Sequence, residues 1–540
     1  MDKKSIIAIV LSFAVLYVYQ TFFVKPYPAI KPAAVQQREA APNTATEKSA
    51  ANVVSENDAP AGNAPILLQS SVVAAQEIPL ETDEYRAVFT NRGAGLKSFQ
   101  LKKYRVSIEK GADFIELVNA KGNMPPPLKV GFAGSDFTIP EDAIYEVRAE
   151  NGPTENPAAA DRLVFTLEYP EHVKVEKIYT FYRGKYNLTL EIRVTNLSGS
   201  TLNELNTVSW YELIDPEAKT DSYSHDGPVS LVAGSVERTD VKKMAPEKIL
   251  GPEVSWSGFE SKYFLAALVP SSPSLTTLSL VKDGPDKVIV SLKAPRNIIP
   301  PGQTGLTNYS LYLGPKDYSL LKELKAGLEN AIDFGDWLKW LAMPLLIILK
   351  FLHGSVVHNY GVAIIILTAL IKLIFWPLGN KSYRSMKEMQ KLQPLMTELR
   401  DKYKEDKARL SQEMMALYKA HKVNPMGGCL PMVIQIPVFF GLYKTLLNAI
   451  ELRHSPLIWW IQDLSAKDPY YITPIIMGGT MFLQQKMTPP AGDPMQAKIM
   501  LFMPIIFTAM FLNFPSGLVI YWLFNNLISI GQQYYINKSN

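Results

Sequence analysis

AIIILTALIKLIFWPL, residues 363 to 378, is an apolar run carrying one charge, Lys372. With its flanks it forms an uncharged stretch of about 359 to 379 apart from that lysine, near the ~20 residues a helix needs to cross a bilayer. The fold therefore turns on this segment, because a chain that contains it is built around a membrane. A charge near the centre of such a helix costs about 2.5 to 3.5 kcal/mol on insertion scales, and residues kept at that cost mark a site.

Four further apolar stretches follow, at about 428 to 447, 470 to 486, 498 to 512 and 517 to 535. Between Gly379 and Met426 there are eleven Lys and Arg against six Asp and Glu, whereas Ala449 to Pro469 holds two basic and three acidic residues. Basic loops stay in the cytoplasm, so the first loop is predicted inside and the second outside. Before these spans, WLKWLAMPLLIILKFL (337 to 352) is apolar but short and contains Pro344. It is expected to lie in the membrane interface, since counting it as a span would reverse the basic loop.

At the N-terminus MDKK precedes SIIAIVLSFAVLYVYQTFFV, residues 5 to 24, which has no charge. Bulky Tyr17, Tyr19 and Phe23 stand where a cleavable signal needs small residues, so an uncleaved anchor with Lys3 and Lys4 in the cytoplasm is expected. Residues 25 to 66 have the Ala, Pro, Asn, Gln and Glu composition of a flexible linker. From 67 to 320 the period is two. In YNLTLEIRVT (186 to 195) Tyr186, Leu188, Leu190, Ile192 and Val194 alternate with polar residues, and KVIVSLK (287 to 293) does the same. Repeated strands divided by Gly, Pro and Asn turns predict a large antiparallel β-sandwich. YSLLKELKAGLENAIDF (318 to 334) then reads as amphipathic helix.

The basic loop has its own helical period. Leu392, Leu395, Met396, Leu399 and Tyr403 recur in its first half, and Leu410, Met414, Leu417 and Tyr418 in its second, with Asp406 placed to start the second helix. A solvated helical pair and a partner-binding hairpin both fit this pattern. Net charge is only +4, so no nucleic-acid partner is predicted from it. The single cysteine, Cys429, excludes an intrachain disulfide, and the six histidines have no metal-ligand spacing.

The five spans contain no Asp or Glu, which weakens a carboxylate-coupled transporter or an aspartyl protease. Ser516 in FPSGLVIY has no histidine or lysine in its span to activate it and reads as part of a turn, and no GxxxxGK loop is present for nucleotide hydrolysis. What remains is neutral polarity: Thr368, Gln435, Thr480, Gln484, Thr508, Asn525 and Asn526. Each alone fits helix-packing glue. Lys372 differs. Side chains lean toward a helix's N-terminus, here the outer end, while the cytoplasmic boundary near Lys381 is roughly 13 Å the other way. A wet, positively charged cavity is predicted around an amine with no intramembrane counterion, solvated by water at rest, the alternative being a long stem that snorkels to the headgroups.

SQEMMALYKAHKVNPMGGCLPMVIQIPVFFGLY (411 to 443), DLSAKDPYYITPIIMG (463 to 478) and KIMLFMPIIFTAMFLNFPSGLVIYWLFNN (498 to 526) closely resemble the YidC family of membrane protein insertases. YTFYRGKYNLTLEIRVTNLSG (179 to 199) resembles the periplasmic domain of its Gram-negative form. The resemblance implies a multi-domain membrane protein with six transmembrane α-helices: an anchor (1 to 24), a linker (25 to 66), a periplasmic β-sandwich (67 to 320), amphipathic or interfacial helices (321 to 354), and a five-helix core (355 to 535) holding a cytoplasmic hairpin (380 to 424). A short tail (536 to 540) ends at NKSN without the long basic extension by which some relatives hold ribosomes.

By the same resemblance Lys372 matches the family's groove cation, often arginine, and keeps the charge without the planar fork. Thr368 and Gln435 match groove positions, and Tyr521 with Trp522 matches an aromatic pair that meets the incoming chain. Arg384, Lys387, Lys391, Arg400, Lys404 and Arg409 are the hairpin's candidate partner contacts. The expected partners are nascent membrane proteins with short translocated tails, the Sec translocon, lipid, and a ribosome reached through the hairpin. No enzyme activity, metal or cofactor is implied, and the location is the inner membrane with both termini cytoplasmic. The alternatives are a channel or transporter with a periplasmic domain, which needs a continuous path through the membrane, and a plain membrane anchor for the β domain.

Overall fold

The structure is a computed structural model that describes residues 66–67, 75–118, 125–140, 142–150, 161–213, 224–284, 286–335, 337–421, 423, 430–488 and 494–538. The predicted anchor at 5 to 24, most of the linker, and Cys429 lie outside the described residues.

Period-two alternation sets the β region. The strand Asn187–Asn196 alternates half-exposed and buried residues throughout, because successive side chains leave opposite faces, and Lys287–Lys293 buries Val288, Val290 and Leu292. The first is central in a nine-stranded sheet, paired with Val173–Phe181 on one side and Thr304–Pro315 on the other. The second belongs to a five-stranded sheet beside Thr207–Leu213 and Thr277–Lys282. A four-stranded sheet runs from Glu77–Glu81 to Phe114–Glu116. Among the described residues pairing is antiparallel except between Ile66–Leu67 and Phe137–Thr138. Trp210, Trp256, Tyr179 and Phe89 are among the large side chains in the shared core.

One buried cation organises a corner of this domain. Lys177, with no exposed surface, donates to the carbonyls of Gly93, Ala94 and Leu128 at 2.9, 2.6 and 3.0 Å. Ala94 and Leu128 have left-handed backbones, φ 47° and 68°, which non-glycine residues adopt only when their surroundings impose it. The amine collects the carbonyls those turns direct inward. Burial pushes it down to about 7.

The amphipathic stretch 318 to 334 is not one helix. Helix α1 (Tyr318–Glu323) is capped by Asp317, whose carboxylate accepts from the Ser319 and Leu320 amides, and it ends where Lys325 and Gly327 turn left-handed. A 3-10 turn at Leu328–Ala331 follows, so Leu321, Leu328 and Ala331 still reach the core by a broken path. Helix α2 (Lys339–Ser355) buries Ala342, Leu345, Leu346, Leu349 and Leu352 and leaves Trp340, Ile347, Ile348 and Phe351 exposed.

The remaining helices are α3 (Tyr360–Lys391), α4 (Gln393–Lys402), α5 (Lys407–Ala420), α6 (Leu430–Asn448), α7 (Ile472–Met487), α8 (Pro494–Phe511) and α9 (Ser516–Lys538). Among the described residues, α3 is the one helix long and apolar enough to cross a membrane by length and composition alone, and Met500–Phe511 is a shorter apolar helix. Helix α3 continues without a break from the apolar run into the basic loop. Asp406 Oδ1 caps α5 by accepting from the Arg409 amide, and Tyr418 of α5 reaches Met396 of α4 at 3.9 Å. Ser516 starts α9 with its amide and hydroxyl both on the Ala466 carbonyl, at 2.7 and 2.8 Å, a structural tie to the preceding loop.

A polar ladder around Lys372

Helix α9 packs between α3 and α7, and its polar residues recur three and four apart: Asn525, Ser529 and Gln532, with Asn526 and Gln533 one position round. That spacing forms a stripe along the helix, which needs polar partners because lipid supplies none. Lys372 Nζ donates to Ser529 Oγ at 2.8 Å, and Ser529 donates in turn to its own helix at Asn525 O, 2.7 Å. Gln435 Nε2 of α6 donates to Asn525 Oδ1 at 2.7 Å. Asn526 reaches Thr480 of α7 at 3.4 Å. Gln532 Nε2 donates to Trp376 O at 3.1 Å and Asn380 Oδ1 at 2.8 Å, while Gln533 Nε2 donates to Met487 O at 2.8 Å.

The amine thus reaches across to α9, a protein partner for one of its N–H groups that the sequence expectation of solvation by water did not include. Thr368 shares the helix with Lys372 but is not joined to the ladder: it is buried, and its hydroxyl donates to Ile364 O at 2.7 Å. Tyr521 is 1% exposed. Trp522 stands edge-on to Phe439 with ring centroids 4.7 Å apart and stacks on Phe507 at 6.1 Å. Phe439, Phe507 and Phe511 meet the pair, and Tyr443 and Phe514 stand behind them. Ser529, Gln532 and Gln533 are the residues that sequence reasoning missed. Their spacing from Asn525 and Asn526 was the available signal.

In the basic loop Arg384, Lys404 and Arg409 are exposed. Lys391 pairs with Glu388 at 2.7 Å, and Lys387 donates to the Asn537 carbonyl at the end of α9 at 3.2 Å. Arg400 lies in α4.

At the opposite end, three side chains tie the helices to the β domain and to the segment that follows it. Lys350 of α2 hydrogen-bonds Asp317 at 2.8 Å and forms an ion pair with Glu451 at 2.9 Å. Burial opposes its charge, but the two carboxylates outweigh it and hold the amine above the ordinary lysine range. Lys444 of α6 pairs with Asp333 at 2.7 Å. Arg453 donates to the carbonyls of Arg105 and Val106 at 2.6 and 3.3 Å and lies over Phe264. Among the described residues no cluster of His, Cys, Asp and Glu could hold a metal ion.

Residues 77–348 match the family described as YidC periplasmic domain, and residues 351–540 match that described as 60Kd inner membrane protein. A protein named membrane protein insertase YidC from Syntrophus aciditrophicus is 60% identical over the whole of both chains. One of the same name from Citrifermentans bemidjiense is 42% identical over all of this chain and 99% of its own. A crystal structure titled as an active YidC insertase with its first transmembrane domain resolved aligns over 87% of this chain and 93% of that one, at 20% identity and a TM-score of 0.38.

Proposed function

We propose that this chain, which belongs to the YidC family of membrane protein insertases, lowers the barrier to insertion through a hydrophilic groove lined by Lys372, Gln435, Asn525, Ser529 and Thr480. Its clients are nascent membrane proteins, and its place is the inner membrane with a periplasmic β-rich domain. The observation that carries the groove reading is the polar ladder of α9, whose successive residues meet polar side chains of α3, α6 and α7, the Lys372 amine among them.

In this reading the five helices α3 and α6 to α9 span the membrane, an N-terminal anchor makes a sixth span, and both termini are cytoplasmic. The charge contrast of the loops supports that orientation. Helix α2, apolar on both faces but in contact with the β domain's capping carboxylate, lies at the periplasmic interface. The basic residues of α4 and α5 face partners in the cytoplasm, with the ribosome and the Sec translocon as the candidates.

Entry of an apolar segment into lipid is downhill, about 0.3 to 0.6 kcal/mol for each Leu, Ile, Phe or Val. The barrier lies in the polar tail that must cross. A groove that is wet partway through the bilayer shortens the dry distance. At an effective dielectric near 20, a cation close to an acidic tail attracts it by a few kcal/mol. The membrane potential then draws the tail outward at about 2.3 kcal/mol per charge per 100 mV. No bond is made or broken. The span leaves sideways into lipid past Tyr521 and Trp522.

The test compares Lys372→Ala and Lys372→Arg in proteoliposomes, with single-span substrates whose translocated tails are acidic or neutral. Alanine should impair the acidic-tailed substrate more, and arginine should restore it. Equal loss with both tails removes charge attraction from the mechanism. Ion or solute flux at channel rates in the same vesicles would favour a channel instead.

A further inference from the structure

We infer that Ser529 is the positioning residue for the Lys372 amine and so sets the preference for acidic tails. The inference rests on the groove reading above.

Four observations on α9 and α3 converge on this serine. Its hydroxyl donates to Asn525 O at 2.7 Å, which leaves its lone pairs to face donors, and the Lys372 amine meets it there beside the Tyr383 hydroxyl. The amine donates to it at 2.8 Å, so a charged donor meets an acceptor of fixed direction. Ser529 is 3% exposed, so the hydroxyl is held by packing rather than free to rotate in solvent. One turn on, Gln532 bridges to Trp376 O and Asn380 Oδ1 of α3. Gly379 makes that approach possible, because a Cβ there would lie 2.8 Å from Gln532 Nε2. The two helices are therefore held in register where Lys372 meets Ser529.

The chemistry of the partner matters as much as its position. A hydroxyl satisfies an ammonium without neutralising it. An arriving carboxylate takes another of the amine's three N–H groups while Ser529 keeps the first, so the hydroxyl holds the amine's direction as the tail meets it. An acidic residue at 529 would supply the counterion permanently and remove what the tail gains. An apolar residue would leave the amine without its direction.

The experiment measures the ratio of acidic-tailed to neutral-tailed insertion by the full chain in proteoliposomes for Ser529→Ala, Ser529→Thr and Ser529→Asp, beside Lys372→Ala. Ser529→Ala should lower the ratio about fivefold, the weight of one hydrogen bond. Ser529→Thr, which keeps the hydroxyl, should restore it. Ser529→Asp should lower it on the order of tenfold or more, through the charge pair it creates. If the aspartate variant does not accumulate, the alanine and threonine pair decides.

An unchanged ratio in Ser529→Ala, with the ratio collapsed in Lys372→Ala, overturns the role of Ser529 and leaves the groove reading standing. Equal loss with both tails in Ser529→Ala marks a packing role only and also overturns it. An unchanged ratio in Lys372→Ala overturns the groove reading and this inference together.

Discussion

Lys350 and Asp317 are joined at 2.8 Å through the same carboxylate that caps α1, so one side chain both starts a helix of the β domain and receives a cation from α2. Oδ1 takes the Ser319 and Leu320 amides while Oδ2 takes the amine. The two functions of Asp317 are separable by substitution.

Asp317→Asn keeps an acceptor for the cap and weakens the ion pair, whereas Asp317→Ala loses both. Thermal unfolding of the detergent-purified protein should place the asparagine variant about 1 kcal/mol below the parent and the alanine variant about 2 to 3 kcal/mol below. Equal destabilisation by the two would show that the cap contributes nothing separate.

Gly478 of α7 faces Thr508 of α8 so closely that a Cβ would sit 2.0 Å from Thr508 Oγ1. The contact depends on a missing side chain, as close helix crossings in membranes do. Gly478→Ala must push the helices apart or turn Thr508 away from Pro504 O, which its hydroxyl reaches at 2.7 Å. A loss of about 1 to 3 kcal/mol in unfolding free energy is expected, with partial recovery in Gly478→Ala combined with Thr508→Ala.

Phe439 covers Tyr521 and Trp522 from α6. If the client passes these aromatics, Phe439→Ala should raise the yield of photocrosslinks from a probe at position 521 to a stalled nascent membrane protein. A probe at Thr368, which is also buried, should change little. An unchanged yield at 521 would mean that the ring is not a barrier to access.

Lys177 gives the β domain a pH dependence. Burial lowers its folded value to about 7, below that of the unfolded chain. Between pH 7 and about 10 the unfolded chain holds a proton that the folded one does not, so stability rises with pH across that window. Lys177→Met should flatten this slope. It should also destabilise the domain by about 2 kcal/mol at neutral pH, because the Gly93 and Leu128 carbonyls lose their described donor. Melting followed by tryptophan fluorescence at several pH values measures both, and a slope unchanged in Lys177→Met assigns the dependence to other groups.

The strands at 187–196 and 287–293 were legible from period-two alternation and the helix around Lys372 from an unbroken apolar run, both short-range patterns. The caps at Asp317 and Asp406 are local too, although only Asp406 was recognised beforehand. The break in 318–334 was not legible, because its apolar residues keep helical spacing while Lys325 and Gly327 take left-handed backbones. The pairing of Asn187–Asn196 with Thr304–Pro315 was equally hidden, since alternation marks a strand without naming its neighbour.

The apolar run 363 to 378 by itself placed a charge in a helix long and apolar enough to cross a membrane, and the other apolar stretches offered no acid to meet it. Hydropathy and charge are properties of each residue and survive any fold. Only the tertiary structure decided what the amine touches. Its partner lies 157 residues away on a helix whose polar stripe is set by its own turn, and the crossing of α3 and α9 is fixed by packing at Gly379 and Gln532. Which hydroxyl meets which amine depends on that crossing, and no local pattern encodes it.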